Sequence, residues 1–416
     1  MRPLFRLLPL ALAAACGTED DPPLTEQVKE LAEIPTPAVF AQSERLSAEG
    51  PIQALGTSGA GRVLIITHGE LQEVVAEALI PRTLYATGAD PTSTGEPHHI
   101  TPRVSGGAWI AASAGLFMLA DLYLTSVPLE LSSNVVRDVR EVERGPLAGL
   151  WIATEAGLIH RQPSGGFERL EAPELAGASS QLAVDTRGEA ALVRFESRVV
   201  MLAGTAARLT TRELVLDTGA ITGIGAGSGV LYAATERGLY RWRAGAEPEW
   251  SRFTFAADGT PPLPLSALAV DRATGSAWVR AQSAVIRVAL DNSTLAFPAV
   301  DLSTSERMTV DGLGDLWIAS GDALRRHSLG ATGAAATFEQ DVKPWIDRHC
   351  AACHRNQTAD FEQYEVFVER ADLALSRVRA GDMPRCEGAQ VCSEDRRLEP
   401  QDYAVLESWI RAGKPR

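Results

Sequence analysis

"GLWIATEAGLIH", residues 149–160, reads as a strand pair in miniature. An apolar run over Trp151, Ile152 and Ala153 gives way to small and polar residues ending at Gly157, and a second apolar run follows. That is the composition of two short strands joined by a tight turn. The pattern returns along the chain as "GGAWIAASAGLFML" from Gly106, "GVLYAATERGLYRW" from Gly229, "GSAWVRAQSAVIRV" from Gly275 and "GDLWIASGDALRRH" from Gly314. Weaker copies, "GRVLIITHGELQEV" from Gly61 and "GEAALVRFESRVVM" from Gly188, fall where the period demands them. Aligned on the central large apolar residue, the copies sit at Leu64, Trp109, Trp151, Leu192, Tyr232, Trp278 and Trp317, between 39 and 46 residues apart.

Several units carry a further strand upstream, closed by an Asp-to-Gly turn: "LAVDTRG" from Leu182, "LAVDRATG" from Leu268 and "MTVDGLG" from Met308. Three or four short strands per 40 residues, without helical periodicity, predict an all-β propeller over residues 51–330. Seven blades are expected, with six or eight compatible because terminal strands often close such a ring. No blade covers both its faces alone, so the aromatic column is expected to be core between stacked neighbours. The blades resemble the two-component-regulator type of propeller repeat. The departures are Leu64 and Leu192 at the aromatic position, and Glu70, Arg198, Ala284 and Ala323 in the turn-glycine slot. The Trp-docking motifs of quinone-cofactor propellers are not found. His98 and His99, in "EPHHITP", are expected in a polar loop between the first two units, and His160 and His327 at surface or satisfied positions.

With 53 acidic residues against 39 lysines and arginines, the net charge of −14 lacks the basic footprint that phosphate neutralisation requires, so no nucleic acid is expected as a partner. The opening "MRPLFRLLPLALAAAC" pairs Arg2 and Arg6 with a short apolar run ending in small residues. This is the layout of a secretory signal peptide over residues 1–15, too short to span a bilayer. Cys16 with Gly17 resembles the lipobox of bacterial lipoproteins, although Ala13 stands where a larger aliphatic residue is usual. Lipidation at Cys16 competes with ordinary cleavage after Ala15. Residues 16–50, acidic and proline-bearing, are expected to be a tether with one short helix around Glu26 to Glu33.

After the small-residue linker "LGATGAAA" the composition turns to charged helical segments. Phe338, Val342, Trp345 and Ile346 share a helical face, Thr337 and Gln340 are placed as a capping box, and Pro344 makes a helix from about Lys343 an equal reading. "HCAACH" then sets Cys350, Cys353 and His354 as C-x-x-C-H, the spacing at which two thiols attach a haem covalently and the histidine ligates its iron. Met383, in "GDMPR", is the natural second axial ligand. Two other chemistries use such cysteines. One is a four-thiolate zinc site of Cys350, Cys353, Cys386 and Cys392, which leaves His354 and the Met-Pro unexplained; the other is a redox dithiol, which lacks a preceding strand. Cys386 and Cys392 alternatively form a disulfide behind Met383.

The chain closes on a helix from Pro400, with Tyr403, Leu406 and Ile410 on one face and Gly413 as its stop. Haem motif, Met-Pro and a closing "WIRAG" appear in the order of the class I cytochrome c domain, which residues 337–416 resemble, especially the type fused to other exported domains in planctomycetes and myxobacteria. That resemblance implies crossing terminal helices with aromatics between them, Phe338 or Trp345 against Trp409. The expected protein is multidomain: a propeller followed by a small all-α cytochrome c domain carrying one covalent haem c. With both iron positions filled by protein, it is read as an exported electron-transfer cytochrome, periplasmic or anchored to the outer membrane as a lipoprotein. Its expected partners are redox proteins and a small-molecule ligand at the propeller, with membrane contact only through the lipid anchor. Two other readings are a propeller oxidoreductase passing substrate electrons to the haem in cis, and a redox-sensing scaffold.

Overall fold

The computed structural model describes residues 28–75, 78–81, 85–87, 95–120, 123–129, 135–163, 165–205, 208–214, 216, 220–244, 249–255, 264–282, 284–298, 307–329, 336–351, 361–379, 398 and 400–416. Cys16, Cys353, His354, Met383, Cys386 and Cys392 lie outside the described residues, as do residues 1–15.

Each quoted repeat forms an antiparallel meander. In "GLWIATEAGLIH", Gly149–Thr154 and Gly157–Arg161 pair from Leu150↔Arg161 to Thr154↔Gly157. Gly157 sits at φ +122, a backbone that L side chains rarely adopt, which accounts for glycine in the turn slot. The seven alignment residues all fall in the second strand of a meander, and each is at most 5% exposed. Three of their polar handles are satisfied as follows: Trp151 Nε1 donates to the Leu147 carbonyl at 2.8 Å, Trp317 Nε1 to Asp311 Oδ2 at 2.8 Å, and Tyr232 Oη to the Gly275 carbonyl at 2.7 Å. The expected Asp-to-Gly turns form for the same reason throughout. Asp185 accepts from the backbone of Arg187, Glu189 and Ala190, Asp271 from Ala273, and Asp311 from Leu313 and Asp315, so a carboxylate replaces the missing ladder bonds of the turn.

The inner strands of the meanders, Ile52–Thr57, Pro97–Pro102, Val136–Val142, Ser179–Val184, Ile221–Gly227, Ala267–Val270 and Arg307–Val310, touch one another in sequence, and the last touches the first. The ring is latched where Gly312 N–H donates to the Gly61 carbonyl at 2.8 Å. The hydrogen-bonded sheets do not number seven, however. Five have four or five strands, and the first two meanders share one nine-stranded sheet. They merge through the parallel pair Gly56↔Ile100, where a Cβ on Gly56 would lie 2.1 Å from the Ile100 carbonyl oxygen. Without that side chain the two inner strands approach closely enough to join.

Residues 28–47 overturn the expected tether and its helix. Val28–Glu33 pairs parallel with the outer strand Glu249–Phe255, Thr36–Pro37 with Thr294–Pro298, and Gln42–Ser47 antiparallel with Ala323–Ser328. The last strand completes a sheet that the C-terminal repeat leaves one strand short. An exposed strand edge offers more to a polar segment than an isolated helical turn does, which explains why acidic composition misled the reading.

Among the described residues three helices follow the ring: α1 Lys343–His349, α2 Tyr364–Arg379 and α3 Pro400–Arg411. A wide helical turn over Phe338–Val342 precedes α1. The capping box is replaced, because Asp341, not Gln340, reaches back to the Thr337 N–H at 2.8 Å. The predicted faces are buried together: Phe338, Val342, Trp345 and Ile346 join Phe367, Leu375, Tyr403, Leu406, Trp409 and Ile410 in one core. Gly413, at φ +81, ends α3.

Candidate functional site

The C-terminal core is organised around Trp409, which is fully buried. Phe338 lies 5.7 Å from it between ring centroids, and Phe367 stacks on it at 5.8 Å. Of the two expected partners, the structure places Phe338 across from Trp409. Trp409 Nε1 donates to the Pro415 carbonyl at 2.6 Å and the Phe338 N–H to the same oxygen at 3.1 Å, tying both ends of the helical segment together. Cys350 caps α1, its N–H donating to the Ile346 carbonyl at 2.7 Å, and packs half-buried against the C-terminal core. Cys353, His354 and Met383 lie outside the described residues.

The helical segment is docked on one end of the ring. Arg377 of α2 donates to the Val104 carbonyl and, at 3.1 Å, to Glu143; Ser376 donates to the Gly59 carbonyl at 3.1 Å. Arg377, Ser376, Gly59 and Val104, with Arg103, Asp271 and Asp311 of the turns below, line a cavity of only about 90 Å³ at that mouth of the channel. Asp372 bridges Arg62 at 3.4 Å and Lys414 at 2.9 Å. The strongest anchor is Arg411. Its guanidinium spans both oxygens of Asp315, at 2.8 and 3.0 Å, and also reaches the Leu313 carbonyl and Glu407. Burial opposes the Arg411 charge, but the Asp315 carboxylate more than offsets it and holds the guanidinium well above its ordinary pKa. Burial first, and then the neighbouring Asp315 charge, push the Asp311 carboxyl up.

At the opposite mouth five inner strands begin with the same irregularity. Register shifts leave Gln53, His98, Arg137, Ser180 and Thr222 as extra residues opposite no partner. Such a bulge re-aims the side chains around it. His98 and His99 therefore do not occupy a loop, as expected; they lie on the inner strand Pro97–Pro102, and both engage the next inner strand. His98 Nε2 accepts from Arg137 at 3.2 Å, while His99 Nδ1 lies 3.2 Å from Asp138. His160 and His327 are satisfied core residues. The His160 ring lies tilted against Trp151 with centroids 4.2 Å apart and contacts the Ala148 carbonyl, and His327 bonds Ser43 at 3.0 Å. Among the described residues no three His, Cys, Asp or Glu side chains converge as a metal site, and no helix is long and apolar enough to cross a membrane.

A closed circuit of inner strands around a channel, with meanders radiating from it, is one architecture. The fold is a β-propeller. A streptogramin B lyase matches it at TM-score 0.54 and 14% identity, over 70% of this chain and 98% of that one. A virginiamycin B lyase from Staphylococcus aureus matches at 0.53 and 14%, over 70% and 99%. The extracellular domain of a hybrid two-component system from B. thetaiotaomicron matches at 0.53 and 15%, over 70% of this chain and 42% of that one. At such identities the likeness is one of fold alone. No protein-family model and no curated protein matches the chain. The propeller's two mouths were invisible in the sequence, since the residues that line the cavity at each come from four separate repeats. The one available signal, a polar residue at the start of each inner strand, has no fixed identity from unit to unit.

Proposed function

We infer that the chain is an exported, mono-haem c-type cytochrome whose seven-bladed propeller serves as a platform for a partner or ligand. The blade number is supported by the closed circuit of inner strands, if the nine-stranded sheet is read as two blades joined at Gly56. The haem reading is carried by one observation. The first thiol of the only C-x-x-C-H in the sequence caps a helix on an apolar core, in which Phe338 packs against Trp409 between the first and last helical elements. Cys350 and Cys353 would hold the haem through thioethers, and His354 and Met383 would ligate its iron. When bound, the group supplies one-electron redox chemistry at a potential raised by methionine ligation. The protein's own part is burial, orientation and partner contact. Phe338, Phe367 and Trp409 exclude water from one side of the site, and the Arg411 and Arg377 anchors hold it fixed against the propeller.

That fixed docking gives the alternative, a propeller oxidoreductase feeding the haem in cis, its own physical basis. The two are separated by screening for substrate-dependent haem reduction in the intact chain and again after propeller deletion. Haem staining and the absorption spectrum of protein matured in a periplasm test the cytochrome itself. Covalent haem is expected, lost in Cys350→Ala and Cys353→Ala, with the reduced spectrum altered in Met383→Ala. Stoichiometric zinc in place of haem would assign the cysteines to the thiolate site. Export and the anchor at Cys16 are tested together, by membrane fractionation of wild type and Cys16→Ser.

A further inference from the structure

The ring closes at a seam between the last inner strand, Arg307–Val310, and the first, Ile52–Thr57. Its two ends are secured differently. One end lies at the open mouth, where Arg307 lines a cavity of about 780 Å³ with His99, Asp138 and Arg194. There the chain itself crosses from the last sheet to the first: Ser47, paired with Ala323, runs straight on to Ile52. The Ala48 and Ile52 N–H groups donate to the Asp322 and Gly321 carbonyls at 2.8 Å each, and Arg307 Nη1 donates to the Ile52 carbonyl at 3.1 Å. Between the ends, Leu55 and Ile65 pack with Trp317 and Leu324. The far end is the latch, where Gly312 N–H meets the Gly61 carbonyl at 2.8 Å. Neither residue brings a side chain to the joint, and a cavity of about 680 Å³ lies over them, between the ring and the helices. Among the described residues no strand crosses the seam at that end.

The helical segment crosses it instead. On the last meander Arg411 grips Asp315, the Leu313 carbonyl and, at 3.3 Å, Ser328 Oγ. On the first meander Asp372 takes Arg62, itself paired with Glu73 at 3.1 Å, and Ser376 takes the Gly59 carbonyl. Arg377 extends the grip to Val104 and Glu143, on the second and third meanders. Inside the segment these two sets of anchors are fixed to each other. Lys414, just past α3, donates to Asp372 of α2 at 2.9 Å and to the Val368 carbonyl at 3.1 Å, while Leu375 and Ile410 share the apolar core. The first and last meanders therefore cannot part at the latch unless buried ion pairs break or α2 shears from α3.

We propose that the helical segment is the clasp of the ring: docked, it holds the first and last meanders together at the latch, and released, it lets the seam pivot open about the Ser47–Ile52 crossing. Release does two things at once. α2 leaves the mouth that it covers, and the latch is left to the Gly312–Gly61 bond and the apolar contacts beneath it. The inference stands on these contacts and goes beyond the cytochrome reading, since it holds whatever the segment carries.

Amide hydrogen exchange of the full chain tests it. Arg377→Ala is the deciding variant, because the hydrogen bonds it removes end on the second and third meanders, away from Gly61 and Gly312. The Gly312 N–H should exchange about tenfold faster than in wild type. A comparable turn-to-turn bond, Thr186 N–H to the Gly227 carbonyl at 3.4 Å, joins the fourth and fifth meanders away from these anchors, and its exchange should change by less than about twofold. Loss of protection in α2 with Gly312 unmoved overturns the proposal, since the ring then closes without the segment. Equal acceleration at Gly312 and Thr186 overturns it as well, by showing a general loosening. Should Arg377→Ala not fold, exchange of the wild-type chain in graded urea decides. A clasp requires the Gly312 N–H to open with the urea dependence of the α2 and α3 amides, ahead of the strands around Trp151; any other dependence overturns it.

Discussion

Replacing Arg411 by alanine should loosen the helical segment from the propeller by about 3 kcal/mol. The side chains of Arg411 and Asp315 are 12% and 1% exposed, so the pair is buried and not screened as a surface bridge would be. Removing one partner of a buried pair costs about 3 to 5 kcal/mol, because the other charge is left without its counter-ion. Here Asp315 keeps Arg326, which holds Oδ2 at 2.7 and 2.9 Å, while Oδ1 and the Leu313 carbonyl lose their donor. The partial compensation puts the cost at the lower end of the range, about a hundredfold in the docking equilibrium. Hydrogen exchange reads this directly. Amide protection in α3 and at Ala412 to Lys414 should fall by about that factor, while the strands around Trp151 stay unchanged. In a double-mutant cycle with Asp315→Asn the two changes should be non-additive by about 2 kcal/mol. An additive cycle, or α3 protection within about threefold of wild type, would show that Arg411 is an ornament of docking and refute the reasoning.

Three further outcomes follow from particular contacts. His327, 6% exposed, stacks on Phe40 at 4.4 Å, and burial with Arg325 nearby lowers its pKa from 6.5 to about 4. The unfolded chain therefore takes up this proton first, and stability should fall as pH drops from 6.5 towards 4, by up to about 3 kcal/mol, then level off with respect to this group. His327→Phe should flatten that slope in urea titrations across the window; an unchanged slope assigns it elsewhere. Gly61→Ala should cost about 2 kcal/mol or more in denaturant unfolding, since Gly61 sits at φ +75 and a Cβ would come within 2.4 Å of Gly312 Cα at the ring latch. Phe338→Ala, which opens a cavity between Trp409 and Phe367, should destabilise the helical segment by about 3 to 5 kcal/mol, read as a separate early thermal transition.

Local chemistry made much of this protein legible in its sequence. The hairpins of the repeats, the Asp-capped turns, the buried Trp column and the amphipathic faces of α1 and α3 depend on residues within a few positions of one another, where periodicity and turn preference act directly. The strands at residues 28–47 were misread for the complementary reason. Their secondary structure is imposed by edges more than 200 residues away, at Glu249–Phe255, Thr294–Pro298 and Ala323–Ser328, and an acidic segment carries no local mark of that demand. The same holds for His98 and His99. A bulge shared by five inner strands aims them at a mouth assembled from several blades, beside arginines 96 and 208 residues further along the chain from His98 and His99 respectively. Sequence by itself determined the repeating unit and the C-x-x-C-H spacing, because both are short-range patterns. Only the closure of the ring decided which polar side chains share a cavity, because that depends on bringing distant repeats to one axis.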